Sequence, residues 1–173
     1  MYNVRHFWSS IRPNGPQRPH VLDRLELRIC DYVSDINLLL AITALLELRV
    51  IHLFENLKTF DPLINSTFSM DQLTKICDQN EINAAQNSLD AELTHWRDGK
   101  KMICREWIKN VLADLSLTAK KLNMDHLLKP IYKVLEEGNQ SMKWIKQYNE
   151  GLYVEDIMKY AIQDMIKSEE ESI

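Results

Sequence analysis

The sequence predicts an α+β fold, with strands confined to its opening stretch and helices over the remainder. Three observations carry this. Period-two alternation of polar and apolar residues is clearest in Arg24-Leu25-Glu26-Leu27-Arg28-Ile29-Cys30-Asp31 and is absent further on. From Asp35 onward, apolar residues recur at helical spacing between cap signals. The 173 residues hold 4 Gly and 5 Pro, and three of those prolines fall within 12–20, so the rest of the chain favours long elements and short loops.

Residues 4–12 are rich in aromatic and β-branched types and are expected to form a first strand of imperfect alternation. The run Arg12-Pro13-Asn14-Gly15-Pro16-Gln17-Arg18-Pro19-His20 is expected to be a kinked loop, because its proline density leaves nothing regular. The 24–30 strand follows, and an antiparallel pairing across the loop is expected. That strand puts Leu25, Leu27 and Ile29 on one face and Arg24, Glu26, Arg28 and Cys30 on the other. A carboxylate between two guanidinium groups suits a site that handles both Mg²⁺ and phosphate. The carboxylate is a hard oxygen ligand, and each Arg can grip an anion with two parallel hydrogen bonds. A mutually paired or solvated strand face is the plainer reading of the same pattern. Basic residues are skewed in the same direction: six arginines and no lysine precede Lys58, and Arg suits planar bidentate recognition better than Lys.

Helices are expected over 36–57, 69–78, 82–96, 101–122, 124–137, 139–150 and 154–168. Asp35 is a good N-cap for the first of these, whose leucines and isoleucines surround most of its circumference. Asp61-Pro62 ends it. Ser69 with Gln72 forms a capping box for the second. Gly138 and Gly151 mark breaks after helix C-termini. The closing 169–173 is expected to fray.

Composition narrows function. A net charge of −4 argues against nucleic acid as main partner. Asn37, Thr43, Glu47, Arg49 and His52 interrupt the most apolar stretch, so it reads as a buried helix and no membrane partner is expected. No charged start with an apolar run follows Met1, and three cysteines without CxxC spacing point to reduced thiols in a cytoplasmic protein. None of the five histidines has a partner at zinc-ligand spacing. Cys30 lacks an evident base, and Trp96, Trp107 and Trp144 read as packing residues. Glu47 and Arg49, midway along an apolar helix, either pair with neighbours or face something outside it.

Several runs together resemble bacterial glutamate–cysteine ligase of the cyanobacterial type, a carboxylate–amine ligase with a glutamine-synthetase-like fold. They are Ser10-Ile11-Arg12-Pro13-Asn14-Gly15, the 24–31 octet, and Leu38-Leu39-Leu40-Ala41-Ile42-Thr43-Ala44-Leu45-Leu46-Glu47. Asn87-Ser88-Leu89-Asp90-Ala91 with His95-Trp96, Arg105-Glu106-Trp107, His126-Leu127-Leu128-Lys129-Pro130 and Gly138-Asn139-Gln140 add weaker matches. The Arg-x-Glu-x-Arg strand before an Ala/Leu-rich helix is the specific part. The resemblance implies the C-terminal part of such a ligase: two strands of a larger antiparallel sheet, then about seven helices. It implies a single partial domain over 1–173, with strands and site loop in 1–32, helices in 33–168 and a tail in 169–173.

The resemblance further implies joining of L-glutamate to L-cysteine at the expense of ATP, with Mg²⁺, through a γ-glutamyl phosphate, the first step of glutathione biosynthesis. By residue-for-residue match, Glu26 is the metal ligand, and Arg28 and Arg24 are catalytic contacts to substrate carboxylate or phosphoryl group. Arg12, Asn14 and Arg18 are substrate- or nucleotide-binding. The expected partners are L-glutamate, L-cysteine, ATP, and either the N-terminal half of the ligase or a second copy of the chain; stand-alone activity is not expected. Two other readings stay open: a related ligase with another amine substrate, and a non-catalytic helical interaction module.

Overall fold

The computed structural model describes residues 11–14, 24–27 and 33–171. The chain divides into two compact units, Met1–Val33 and Ser34–Ile173.

In the first unit, β1 (Ile11–Asn14) and β2 (Arg24–Leu27) form an antiparallel two-stranded ribbon. The expected pairing across the loop is present, and Arg12 lies in the first strand; one correction is that Pro13 and Asn14 belong to the strand and not to the loop. Among the described residues each strand of the ribbon pairs on one side only, and edge strands tolerate proline. The register sets Ile11 opposite Leu27, Arg12 opposite Glu26, Pro13 opposite Leu25 and Asn14 opposite Arg24. Residues 4–10 and 28–32 lie outside the described residues.

The second unit is mainly helical. Helix α1 (Ile36–Glu55) starts as expected: Asp35 Oδ1 accepts the backbone N–H groups of Asn37 at 2.8 Å and Leu38 at 3.2 Å, satisfying donors that the first turn leaves unpaired. Short helices α2 (Leu57–Phe60) and α3 (Pro62–Asn65) follow, the latter capped by Asp61. Helix α4 (Met70–Asn87) opens on the Ser69/Gln72 capping box. It runs unbroken through the polar stretch at 79–81, where the sequence predicts a gap. The expected helix over 82–96 is also corrected. Helix α4 stops at Asn87, Ser88–Asp90 form a 3₁₀ turn, and β3 (Glu92–Thr94) pairs antiparallel with β4 (Lys101–Ile103).

Helices α5 (Cys104–Lys121), α6 (Lys129–Glu137), α7 (Gln140–Asn149) and α8 (Val154–Glu171) complete the unit. Helix α8 carries through Glu169 and Glu170, where fraying is expected from the sequence. Gly138 and Gly151 sit at φ +90° and +99°, as helix-ending glycines do.

The core forms where α1 meets α5, α6 and the 3₁₀ turn Asp125–Leu128. Ala41, Ala44 and Leu48 supply one stripe of α1, met by Leu112, Leu115 and Ala119 of α5 and by Leu128, Ile131 and Leu135. The alanines let the α5 and α6 side chains approach the α1 backbone. The sequence predicts α1 to be buried on several sides. Instead only that stripe is fully buried, and Leu39, Leu40 and Phe54 are exposed. Among the described residues, α1 is the one helix long and apolar enough to cross a membrane.

Candidate functional site

The six sequence-predicted site residues divide by position. Arg12, Asn14, Arg24 and Glu26 lie in the β1–β2 ribbon. Arg18 and Arg28 lie outside the described residues. Directly opposed residues of an antiparallel pair share a face, as do alternate residues of one strand. The register therefore puts positions 12, 14, 24 and 26 on a single face, with Arg12 across from Glu26 and Asn14 across from Arg24. The one carboxylate position is thus flanked along its strand by Arg24 and across the ladder by Arg12.

That donor set meets part of what a magnesium–phosphate group requires. Mg²⁺ is commonly held by one or two carboxylates, with phosphate oxygens and water completing the shell. The four positions offer one carboxylate, one amide and two guanidiniums. They suit an anion-rich ligand that brings its own metal ligands, and not a closed cage. Among the described residues there is no group of three or more His, Cys, Asp or Glu placed to hold a metal ion.

The helical unit contains a second constellation, which sequence reasoning passed over. Arg49 of α1, Phe60 of α2, the β3–β4 turn residues His95, Trp96 and Arg97, and Trp107 and Asp114 of α5 line a cavity of about 240 Å³. Its outer wall is the hairpin tip, which the chain has fastened down. Ser66 Oγ donates to the Trp96 carbonyl at 2.7 Å. The Thr67 N–H donates to the Arg97 carbonyl at 3.0 Å. Arg97 Nη2 donates to the Thr59 carbonyl at 2.8 Å. A two-stranded hairpin has little stability alone, and these bonds supply what its ladder lacks.

Inside the cavity, the Arg49 guanidinium carbon stands 4.8 Å from the centre of the Phe60 ring, and the Arg97 carbon 5.0 Å from that of Trp96. The His95 and Trp107 ring centres are 5.2 Å apart. Among the described residues, Arg49 Nη1 and Arg97 Nε are buried without a hydrogen-bond partner. Burial pushes the Arg49 pKa down, while the carboxylate of Asp114 acts through space to hold its charge. The open question about Arg49 is answered: it stacks on Phe60. The only sequence signal was an arginine midway along an apolar helix. Trp96 and Trp107, read from sequence as packing residues, form walls of this cavity.

Comparison with known proteins gives the class. The profile of glutamate–cysteine ligase family 2 matches residues 1–168. The chain belongs to that family. It is 24% identical over 162 residues to the protein named "Putative glutamate--cysteine ligase 2" of Solibacter usitatus, an alignment covering 94% of this chain and 39% of that relative. The chain therefore spans well under half the length of this relative. No solved structure matches it.

Proposed function

We propose that this chain contributes the Arg12/Asn14/Arg24/Glu26 face to an ATP-dependent glutamate–cysteine ligase, and that turnover needs the remainder of the ligase as a partner. The ribbon then forms two strands of a larger, glutamine-synthetase-like antiparallel sheet. In the reaction, the glutamate side-chain carboxylate attacks the terminal phosphorus of ATP, and ADP leaves. The cysteine amine then displaces phosphate from the resulting γ-glutamyl phosphate. When bound, Mg²⁺ supplies charge neutralisation on phosphate oxygens. The role assigned to Glu26 is to offer one oxygen to that metal. Arg24 and Arg28 hold anionic charge as it shifts, and Arg12, Asn14 and Arg18 contact nucleotide or substrate.

The observation that carries this reading is the family match over residues 1–168, together with the register that sets Arg12 opposite Glu26. The test is phosphate release from Mg-ATP that requires both glutamate and cysteine. It is measured for the chain alone and for the chain mixed with a separately expressed N-terminal part of a relative. Activity in the mixture and not in the chain alone is the expected result. Glu26→Ala should lower it at least about a hundredfold. Inactivity with both parts folded, or an active Glu26→Ala mixture, overturns the proposal. The former outcome would favour a non-catalytic interaction module.

A further inference from the structure

We infer that the cavity between α1, α2, the β3–β4 turn and α5 is a binding site for a single free α-amino acid with a large apolar side chain, its carboxylate on Arg49 and its ammonium facing Asp114. The cavity is built from residues of the helical unit alone, and the inference does not depend on the ligase reading.

The first observation is a donor without an acceptor. Arg49 Nη1 is shielded from solvent and has no hydrogen-bond partner among the described residues, with Asp114 opposing the cost of its burial. Leaving a charged donor buried and unmatched costs more than leaving a neutral one, so folded proteins pair such groups with protein, water or ligand. Arg97, which lines the same cavity, has its Nε buried and likewise without a hydrogen-bond partner among the described residues. Two unmatched guanidinium nitrogens beside one cavity call for an acceptor with more than one oxygen, as a carboxylate has.

The second observation is the sign of the opposing charge. Asp114 lines the same cavity. A simple anion seated on Arg49 would be repelled by it, and a simple cation near Asp114 would be repelled by Arg49. A zwitterion matches both, since its ammonium and carboxylate are held on the same carbon. The third observation is the wall: Phe60, Trp96, Met102, Trp107 and Val111 supply its apolar part, with Thr59, His95 and Asn110 beside them. A large apolar or aromatic side chain laid against Phe60, Trp96 and Trp107 replaces water there at a gain. Size sets the upper limit. The volume of about 240 Å³ lies below the roughly 300–1,000 Å³ of drug- and cofactor-sized sites, which suits one amino acid better than a nucleotide.

The test is isothermal titration calorimetry of the full chain with three probes that share a phenyl group: L-phenylalanine, 3-phenylpropionate and phenethylamine. Phenylalanine should bind, and each singly charged probe should bind at least about tenfold more weakly, as loss of one charge-assisted contact implies. Arg49→Gln should weaken phenylalanine at least about tenfold. Asp114→Asn, an exposed change that leaves the core intact, should erase the preference for phenylalanine over 3-phenylpropionate; circular dichroism checks that both variants are folded. The inference is overturned if phenylalanine does not bind the folded chain, if 3-phenylpropionate binds as tightly, or if the preference survives Asp114→Asn. If Arg49→Gln fails to fold, the Asp114→Asn comparison decides.

Discussion

Asn80 meets Thr94 as a neighbouring strand would. Its Nδ2 donates to the Thr94 carbonyl at 2.9 Å, and its Oδ1 accepts the Thr94 N–H at 2.7 Å. Three residues on, Asn83 Nδ2 donates to the Glu92 carbonyl at 3.0 Å. One face of α4 therefore covers the outer edge of β3 with amide groups, and the edge is closed without a third strand. Asn80→Ala leaves an N–H and a carbonyl unmatched, and should cost about 2–3 kcal/mol of unfolding free energy. Urea denaturation checks this. Asn80→Asp keeps the acceptor but turns a carboxylate toward the Thr94 carbonyl, so it should not rescue.

Glycine at position 99 is required twice over. Its φ is +76°, and a Cβ there would stand 2.9 Å from Phe68 Cζ. Gly151 has φ +99° with open space around the missing Cβ. Gly99→Ala should thus cost about 2–3 kcal/mol and Gly151→Ala about 1, the difference being the clash. Parallel thermal unfolding of the two variants measures it.

Stability should carry an acid limb from the hairpin tip. The Lys100 N–H bonds Asp98 Oδ1 at 3.2 Å, and with the Lys100 ammonium and His95 it holds the Asp98 carboxyl below its ordinary range. A carboxyl depressed in the folded state contributes stability above its unfolded pKa of about 3.9, and loses that contribution as pH falls through the lower folded value. The melting-temperature gap between wild type and Asp98→Asn should therefore be constant near neutrality and shrink as pH falls below about 4. A gap that widens in acid would contradict the assignment.

Core and surface leucines of one helix give an internal control. Leu115 is 0% exposed and Leu117 79% exposed. Leu115→Ala should cost about 3–4 kcal/mol, and Leu117→Ala should stay within about 0.5 kcal/mol. Chemical denaturation of the pair reads both values.

Local signals were legible where they are physically local. Asp35, the Ser69/Gln72 box, Gly138 and Gly151 mark helix ends through bonds and dihedrals within a few residues, and each lies where the sequence predicts. The β3–β4 hairpin was hidden for the opposite reason. Its strands are three residues each, too short to display alternation, and Asn80, Asn83, Ser66 and Thr67 hold it from other segments. Asn80 lies within the expected gap at 79–81, yet it is helical and its side chain is spent on β3. The ribbon face was readable as an alternating charge pattern, whereas the cavity was not. Arg49, Arg97 and Asp114 have nothing in common until α1, the hairpin and α5 come together.

The bonds from Thr59, Ser66 and Thr67 to Trp96 and Arg97 close a loop of chain on itself, with α4 inside it. Opening that segment also withdraws Leu89 from the core it shares with α1, α5 and α6, so it is a sub-global event. Arg49, Trp107 and Asp114 stay with the packed helices, while Phe60, Trp96 and Arg97 leave with the loop. A molecule seated between the two sets holds the loop shut, and every decade of its concentration above the dissociation constant makes opening about tenfold rarer. Occupancy of the cavity is therefore written in the hydrogen-exchange rates of the hairpin amides, where it can be read without any enzymatic turnover.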